Sequence, residues 1–233
     1  MREGFSLSSA LGAYESTANM KGLNMDYLQQ LITRYPKLES ISANISAAFD
    51  VIVKSFSDSG KLLIAGNGGS CADAEHIVGE LMKSFVKKRS LPDSFVSNLE
   101  KENPEIAQYL ISRLQPGLPA IALSGHNSLN TACINDIAGD ITFAQQALGY
   151  GKEGDVFLGI TTSGNAKNVL YAALTARAKN IKVIALTGCD GGKLKQFADV
   201  SIIVPETETY KIQELHLPVY HCLCLMIEDY FFK

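Results

Sequence analysis

Hydrophobic positions along the chain follow two patterns, one with the period of a helix and one with short continuous runs. Between Met25 and Phe56 the apolar residues recur at the spacing of two amphipathic helices, which Pro36 separates. Five continuous apolar runs follow, separated by helical patterns, at 61–65, 120–123, 155–161, 182–186 and 200–204. Such runs are typical of parallel strands that are buried on both faces. The pattern predicts an α/β fold with a doubly wound, five-stranded parallel sheet, flanked by helices and preceded by an N-terminal helical layer.

The same patterns divide the chain into two regions. Residues 1–57 are predicted to hold a polar arm of about 20 residues, followed by helices that dock on the domain or on another subunit. Residues 58–233 are predicted to form the sheet domain, in which 86–118 is a polar, proline-containing insertion with one short helix. The last helix is expected from about Thr209 to Phe231, and Pro218 inside it costs ~3 kcal/mol or kinks the helix.

Composition and charge narrow the range of partners. The 233 residues are 46% hydrophobic and 19% charged, with a formal net charge of −3, as in an ordinary globular protein. No apolar run reaches the ~18 residues that span a membrane, and no basic stripe is present to bind nucleic acid. The five cysteines are scattered and odd in number, which is typical of reduced thiols inside a cell. We therefore expect a cytoplasmic protein whose partners include neither membrane nor nucleic acid.

Small polar residues and glycines follow the predicted strands. The turns at Gly66–Ser70 and Thr161–Asn165, with a shorter one at Ser124–Gly125, lie where open α/β sheets bind their ligands. Glycine lets backbone N–H groups face an anion, and the next helix adds the positive end of its dipole. The hydroxyls at 161–163 make the second turn the best candidate for a phosphate site. A helix-capping turn without a ligand is the alternative.

Two predicted helices carry polar side chains that suit acid–base or metal chemistry. His76 and Glu80 lie four residues apart, so they project from one face of their helix. This spacing suits a base with an orienting partner or a pair of metal ligands, and it also occurs in ordinary surface pairs. On the last helix, Gln213 and His221 lie about 80° apart around the axis and can reach one cleft. A buried histidine bonded to a carbonyl is the alternative for His221.

Long segments of the chain resemble one known family. They are AGNGGSCADAEHIVGEL at 65–81, IND at 134–136, EGDVFLGITTSGNAKNV at 153–169, IALTGCDGGKL at 184–194, and KIQELH at 211–216 with His221 behind it. Over about residues 55–230, these segments are similar in order and spacing to the sugar isomerase (SIS) family, and within it to the phosphoheptose isomerases. Ordered segments of this length are far more specific than a single glycine motif.

The resemblance implies an SIS fold, a homotetramer and an aldose–ketose isomerase. The implied reaction converts sedoheptulose 7-phosphate to D-glycero-D-manno-heptose 7-phosphate through an enediol. The family's catalytic residues fall on Glu80 and His221, and the zinc site (Zn²⁺) of some members falls on His76, Glu80, Gln213 and His221. The implied substrate-binding residues are Asn67, Gly68, Gly69, Ser70, Asn135, Asp136, Thr161, Thr162, Ser163, Asn165 and Gln213.

Departures from the family pattern leave other functions open. Ala166 stands where family members commonly have a serine, and Lys83 lies beside Ser84, where a basic residue that contacts substrate is expected. One alternative is a non-catalytic SIS protein that binds partners, such as the related replication-initiation regulators, or a sugar-phosphate sensor. Another is an isomerase of a different ketose phosphate, with the pocket reshaped by 86–118. The regulators tend to lack the second histidine, so His221 favours catalysis.

Overall fold

An N-terminal helical layer precedes the sheet, as the spacing of apolar residues predicts. The computed structural model describes residues 17–232, with side chains from residue 26 onward. Helix α1 (Thr17–Arg34) is followed by a 3-10 turn (Pro36–Ile41) and by α2 (Ser42–Ser57). Both helices bury their apolar stripes in the same core as the last helix of the chain. Of the predicted polar arm, residues 1–16 lie outside the described residues, whereas 17–20 belong to α1.

The sheet has the predicted class and nearly the predicted strand bounds. Within residues 17–232 its strands are β1 (Leu62–Gly66), β2 (Ala120–Ala122), β3 (Val156–Thr161), β4 (Lys182–Thr187) and β5 (Val200–Ile203). They pair in the order β2-β1-β3-β4-β5, and every pair is parallel. All residues of β1 and β3 are buried, because helices cover both faces of the sheet. The prediction of a doubly wound, five-stranded parallel sheet is confirmed.

Helices fill the connections between the strands. In chain order they are α3 (Gly69–Met82), α4 (Asp93–Glu102), α5 (Pro104–Ile111), α6 (Asn127–Asp136), α7 (Thr142–Tyr150), α8 (Lys167–Ala178) and α9 (Thr209–Phe231). Helices α1, α2, α3 and α9 pack in the core on one face of the sheet, and α7 and α8 pack on the other. In the described part of the chain, no helix is long and apolar enough to cross a bilayer.

The segment 86–118 holds two short helices, where the sequence pattern indicated one. Helix α5 begins at Pro104, and the side chain of Asn103 caps it by accepting from the backbone N–H of Ile106 at 3.0 Å. Helix α4 buries none of its residues, although Phe95, Val96 and Leu99 lie at helical spacing along it. The division of the chain at residue 57 stays a prediction.

The order of the strands places a crevice at the carboxyl end of β1. The chain runs from β1 to β2 on one side of it, and then returns to β3 on its other side. In open α/β sheets, ligands bind beyond the carboxyl ends of strands where the direction of winding reverses in this way. Helix α3 begins at this point, and α9 packs along it. The crevice is therefore bordered by the helices that carry the predicted acid–base residues.

His216 on α9 is completely buried beside β4. Its exposed fraction is 0%, and neither ring nitrogen has a hydrogen-bond partner among the described residues. Burial disfavours the charged form and lowers the pKa of His216 to about 4, while the backbone of Thr187 acts in the opposite direction. His216 is therefore a neutral core residue at neutral pH.

We expect this histidine to make the protein less stable in mild acid. An unfolded histidine has a pKa of about 6.5, so below that value the unfolded state gains a proton that the folded state refuses until about pH 4. Stability is thus lost as pH falls, by roughly 2 kcal/mol between about pH 7 and about pH 5. Urea unfolding at both pH values should show a smaller loss for His216→Gln. An equal loss in the variant would contradict the prediction.

Candidate active site

The loop after β1 brings backbone close to the start of α3. Gly68 adopts a positive φ of 57°, which favours glycine, and leads directly into the helix. A Cβ on Gly69 would lie 2.4 Å from Nε2 of Gln213, so glycine leaves room for the end of this side chain beside the loop. Ser70 is buried, whereas Asn67 is exposed and exchanges two hydrogen bonds of 2.9 Å with Asn168 at the start of α8. The loop is therefore joined to both neighbouring helices.

The predicted histidine–glutamate pair on α3 forms a hydrogen-bonded contact. Nε2 of His76 lies 3.1 Å from Oε1 of Glu80, as the spacing of four residues permits. The ammonium of Lys83 lies 3.0 Å from the other carboxylate oxygen of Glu80. A cation thus stands next to Glu80 although Ser84 occupies the position at which a basic residue was expected. Glu80 is largely buried, with a side-chain exposure of 13%.

His221 projects from α9 toward the same pair. Its ring centroid lies 4.9 Å from that of His76 in an edge-to-face contact, and 5.5 Å from that of Phe85. Its Nε2 is buried and has no hydrogen-bond partner among the described residues. Burial, together with the neighbouring His76, lowers the pKa of His221, and Glu80 opposes this shift. A neutral imidazole at neutral pH has one N–H and one lone pair, so it can both donate and accept a proton.

A cavity of about 420 Å³ opens on the other side of His221. It lies between α1 and α9, and its lining includes Arg34, Tyr35, Phe85 and Pro218. A volume of this size is in the range of ~300–1,000 Å³ that small-molecule sites occupy. His221 therefore borders both the acid–base group of α3 and a space open to small molecules.

The predicted phosphate turn follows β3 and is held in place by a second turn. Gly164 has a positive φ of 68°, and a Cβ there would lie 2.0 Å from the carbonyl oxygen of Gly191. Backbone hydrogen bonds join Thr162 to Gly188 and Gly164 to Leu194. Gly191 and Gly192, which lie in one of the segments that resemble the family, pack directly against the phosphate turn. Ser163 and Asn165 are exposed and leave this turn open to a ligand.

Asn135 and Asp136 lie apart from the acid–base group. Both are exposed at the end of α6, and the amide of Asn135 donates to Oδ1 of Asp136 at 2.7 Å. They follow β2, the edge strand, rather than β1 or β3. Their predicted contact with a substrate stays a prediction.

Four residues near the site were not singled out by the sequence analysis. Tyr220 contacts both His76 and His221 through its ring, and its hydroxyl lies 3.0 Å from Nδ1 of His76. Burial raises the pKa of this hydroxyl, and the nearby carboxyl of Asp73 raises it further. Arg89 and Glu228 form a buried ion pair beneath the end of α3. Of these four residues, Asp73 could have been identified from the sequence, because it lies three residues before His76 and therefore on the same helix face.

The donor types suit zinc in part. Zinc binds histidine nitrogen and carboxylate oxygen, and Nε2 of His221 is a buried donor without a partner. Among the described residues, however, no group of three or more His, Cys, Asp or Glu side chains is arranged to hold a metal ion. The residues near His76 therefore match zinc in chemistry, while their orientations do not converge on a single point.

Comparison with known proteins agrees with the fold and identifies the family. The family described as "SIS domain" matches residues 26–113 and 105–188. The phosphoheptose isomerase of Leptospira biflexa is 40% identical over 195 residues, which cover 84% of this chain and 88% of the relative. That of Helicobacter hepaticus is 38% identical over 193 residues, covering 83% and 85%. The solved phosphoheptose isomerase of Francisella tularensis is 30% identical, with a TM-score of 0.69 over 92% of this chain and 100% of that one.

The parallel sheet, its glycine-rich turns and the family match define an SIS-domain protein. Within the SIS-domain proteins, the extent and level of identity to the two relatives identify the family to which the chain belongs. The chain belongs to the phosphoheptose isomerase family.

Proposed function

We propose that the protein is an aldose–ketose isomerase that converts sedoheptulose 7-phosphate to D-glycero-D-manno-heptose 7-phosphate. The observation that carries this proposal is the meeting of His76, Glu80 and His221 at the carboxyl end of β1. Isomerisation moves one proton between adjacent carbons and another between their oxygens. It therefore requires a base near the carbons, and a second group that donates a proton to one oxygen and accepts a proton from the other. The family membership supports the same reaction.

Glu80 is the base in this proposal, and His221 transfers a proton between the two oxygens. Glu80 removes a proton from C1 of the ketose, the C1=C2 bond forms, and the carbonyl oxygen on C2 takes a proton from His221. His221 then takes the proton of the C1 hydroxyl while Glu80 returns its proton to C2, which gives the aldehyde at C1. The lowered pKa of His221 supports its role, because the neutral ring can give and take a proton in turn.

The turn at 161–165 binds the phosphate in this proposal. It precedes α8, whose N-terminal N–H groups and dipole favour an anion. Its hydroxyls are supplied by Thr161, Thr162 and Ser163, and Asn67 with Ser70 lines the loop opposite. Ala166 supplies no hydroxyl, and the neighbouring Lys167 forms an ion pair with Asp140 at 2.7 Å. A phosphate held here leaves the rest of the sugar to extend toward α3.

We further propose that zinc binds to His76, Glu80, Gln213 and His221. When bound, zinc polarises a carbonyl oxygen as a Lewis acid. The nitrogen and oxygen donor types support this choice, and so does the buried Nε2 of His221, which has no hydrogen-bond partner among the described residues. Glu80 cannot act freely as a base while it holds the metal, so a dependence of rate on zinc decides which role is the principal one.

A homotetramer in the cytoplasm completes the proposal. Apolar side chains are exposed on α6, directly after it and on α9, including Ile134, Ile137 and Leu217, and exposed apolar surface favours association. The five cysteines are all free thiols, which supports a reducing compartment. Light scattering on the purified protein measures the assembly directly.

The proposed function is tested by incubating the purified protein with sedoheptulose 7-phosphate and following the aldose product by NMR. The assay is run as purified, after treatment with a chelator, and after zinc is added back. We expect heptose 7-phosphate to form. Loss of rate with the chelator and recovery with zinc would place the metal in the mechanism.

Other outcomes of the same assay point elsewhere. Saturable binding without turnover would contradict the proposed reaction and favour another ketose phosphate or a sensor. Absence of both binding and turnover would favour a protein that binds partners.

A further inference from the structure

Two asparagines meet side chain to side chain across the crevice at the carboxyl end of β1. Nδ2 of Asn67 donates to Oδ1 of Asn168 at 2.9 Å, and Nδ2 of Asn168 donates back to Oδ1 of Asn67 at 2.9 Å. Asn67 belongs to the glycine loop after β1, whereas Asn168 lies in the first turn of α8, just after the phosphate turn. The two residues are 101 positions apart in the chain, so this amide pair joins two separate loops.

A third hydrogen bond fixes the orientation of both amides. The backbone N–H of Val169 donates to Oδ1 of Asn168 at 3.0 Å, and only the oxygen of a carboxamide can accept such a bond. The nitrogen of Asn168 must therefore face Asn67, whose own oxygen accepts from it. Each amide uses one of its two N–H groups in the pair, so each keeps a second N–H for a ligand.

The amide pair is the hydrogen-bonded connection between these two loops beyond the end of the sheet. The pairing of β1 with β3 ends at Gly66. Among the described residues, no other hydrogen bond joins 67–70 to 161–168. The opposite side of the phosphate turn is held more firmly, because two backbone hydrogen bonds join it to 188–194. The separation of the glycine loop from the phosphate turn therefore depends on the amide pair.

We propose that Asn168 is a positioning residue, whose paired amide holds the glycine loop next to the phosphate turn so that one sugar phosphate contacts both. Its effect on turnover rests on the proposed function, in which the phosphate binds at 161–165 and the reacting carbons lie beside Glu80. A sugar phosphate extends across both loops, whereas inorganic phosphate requires only the turn. Comparison of these two ligands therefore separates placement of the loop from phosphate binding at the start of α8.

The experiment compares Asn168→Ala, Asn67→Ala and the double variant with the wild-type protein. Asn98→Ala is the matched control, because it makes the same truncation at an exposed position on α4. The first readout is the rate at which the side-chain amide protons of Asn67 exchange with solvent, measured by ¹H–¹⁵N NMR. The second is the Kd for inorganic phosphate and for sedoheptulose 7-phosphate, measured by calorimetry. The third is kcat and KM for sedoheptulose 7-phosphate.

We expect Asn168→Ala to speed the exchange of one side-chain proton of Asn67, because that proton loses its acceptor. The Kd for sedoheptulose 7-phosphate should rise roughly 3–10-fold, as for the loss of one hydrogen bond, while the Kd for inorganic phosphate stays within about twofold. We also expect kcat to fall, because the reacting carbons are misplaced relative to Glu80. The double variant should bind the sugar phosphate no more weakly than Asn67→Ala, since the two residues act as one unit. Asn98→Ala should match the wild type in all three readouts.

Unchanged exchange of the Asn67 protons in Asn168→Ala would overturn the proposal. Equal weakening of both ligands would also overturn it, because Asn168 would then belong to the phosphate site itself. If Asn168→Ala fails to fold, Asn67→Ala breaks the same pair, and the exchange of the Asn168 side-chain protons decides the question. A wild-type protein that neither binds nor converts the heptulose phosphate would refute the proposed function, and the exchange of the Asn67 protons would still show whether Asn168 holds the loop.

Discussion

Replacing Glu80 by glutamine should lower turnover of sedoheptulose 7-phosphate by roughly 10²–10⁴-fold, because an amide cannot take up the proton of a carbon acid. Glutamine has nearly the same shape and can still hydrogen bond to His76, so the site geometry is retained. The contact with Lys83 is lost, but that lysine is 62% exposed, and such pairs contribute at most about 1 kcal/mol. We therefore expect a folded protein with an unchanged assembly and a low kcat.

Matched variants show whether the loss of turnover in Glu80→Gln results from the chemistry of the site. Glu75→Gln makes the same chemical change on the same helix at an exposed position, and it should keep turnover within about twofold of the wild type. His221→Gln should lower turnover as strongly as Glu80→Gln does, because it removes the group that transfers a proton between the two oxygens. Turnover near the wild-type value in Glu80→Gln or His221→Gln would show that the assigned roles are wrong.

The sheet and the main helices were predictable because their signal lies within each segment. Continuous apolar runs mark strands buried on both faces, and each observed strand ends within one residue of the predicted bound. The helix from Thr209 to Phe231 is confirmed with Pro218 inside it. Helix α4 was not predicted, because its apolar residues Phe95, Val96 and Leu99 span little more than one turn within a polar, proline-containing segment.

The family and the spacing of His76 and Glu80 were also predictable, whereas the contacts around them were not. The glycine loop, the two histidines and the phosphate turn are marked by residue type and order. Tyr220 was not identified, since an aromatic residue on an apolar helix face normally indicates packing. Its contact with His76 joins two helices whose relative position depends on the whole fold. The contact of Gly191–Gly192 with Gly164 was not predictable for the same reason, because only the tertiary structure brings these two turns together.

A second large effect is expected at the buried ion pair of Arg89 and Glu228, whose side chains are 0% and 1% exposed. The guanidinium donates to the backbone carbonyls of Glu80 at 2.9 Å and Leu81 at 2.7 Å. Burial by itself would raise the pKa of Glu228, but the backbone N–H groups at 85–87 and Arg89 outweigh this effect and keep its pKa below the usual value. The pair therefore joins the end of α3, the segment after it and α9.

Glu228→Gln should destabilise the protein by about 3–5 kcal/mol, because it leaves the Arg89 charge buried without a partner. The glutamine amide also turns an N–H donor toward N–H groups that the carboxylate accepted. Urea unfolding at one protein concentration measures the change, with Lys54→Met as control. Lys54 pairs with Asp58, but both are largely exposed, so its loss should cost less than about 1 kcal/mol. Equal small effects in the two variants would refute the prediction. Since the same segment holds Phe85 against His221, kcat of Glu228→Gln should fall even at temperatures where the variant is fully folded.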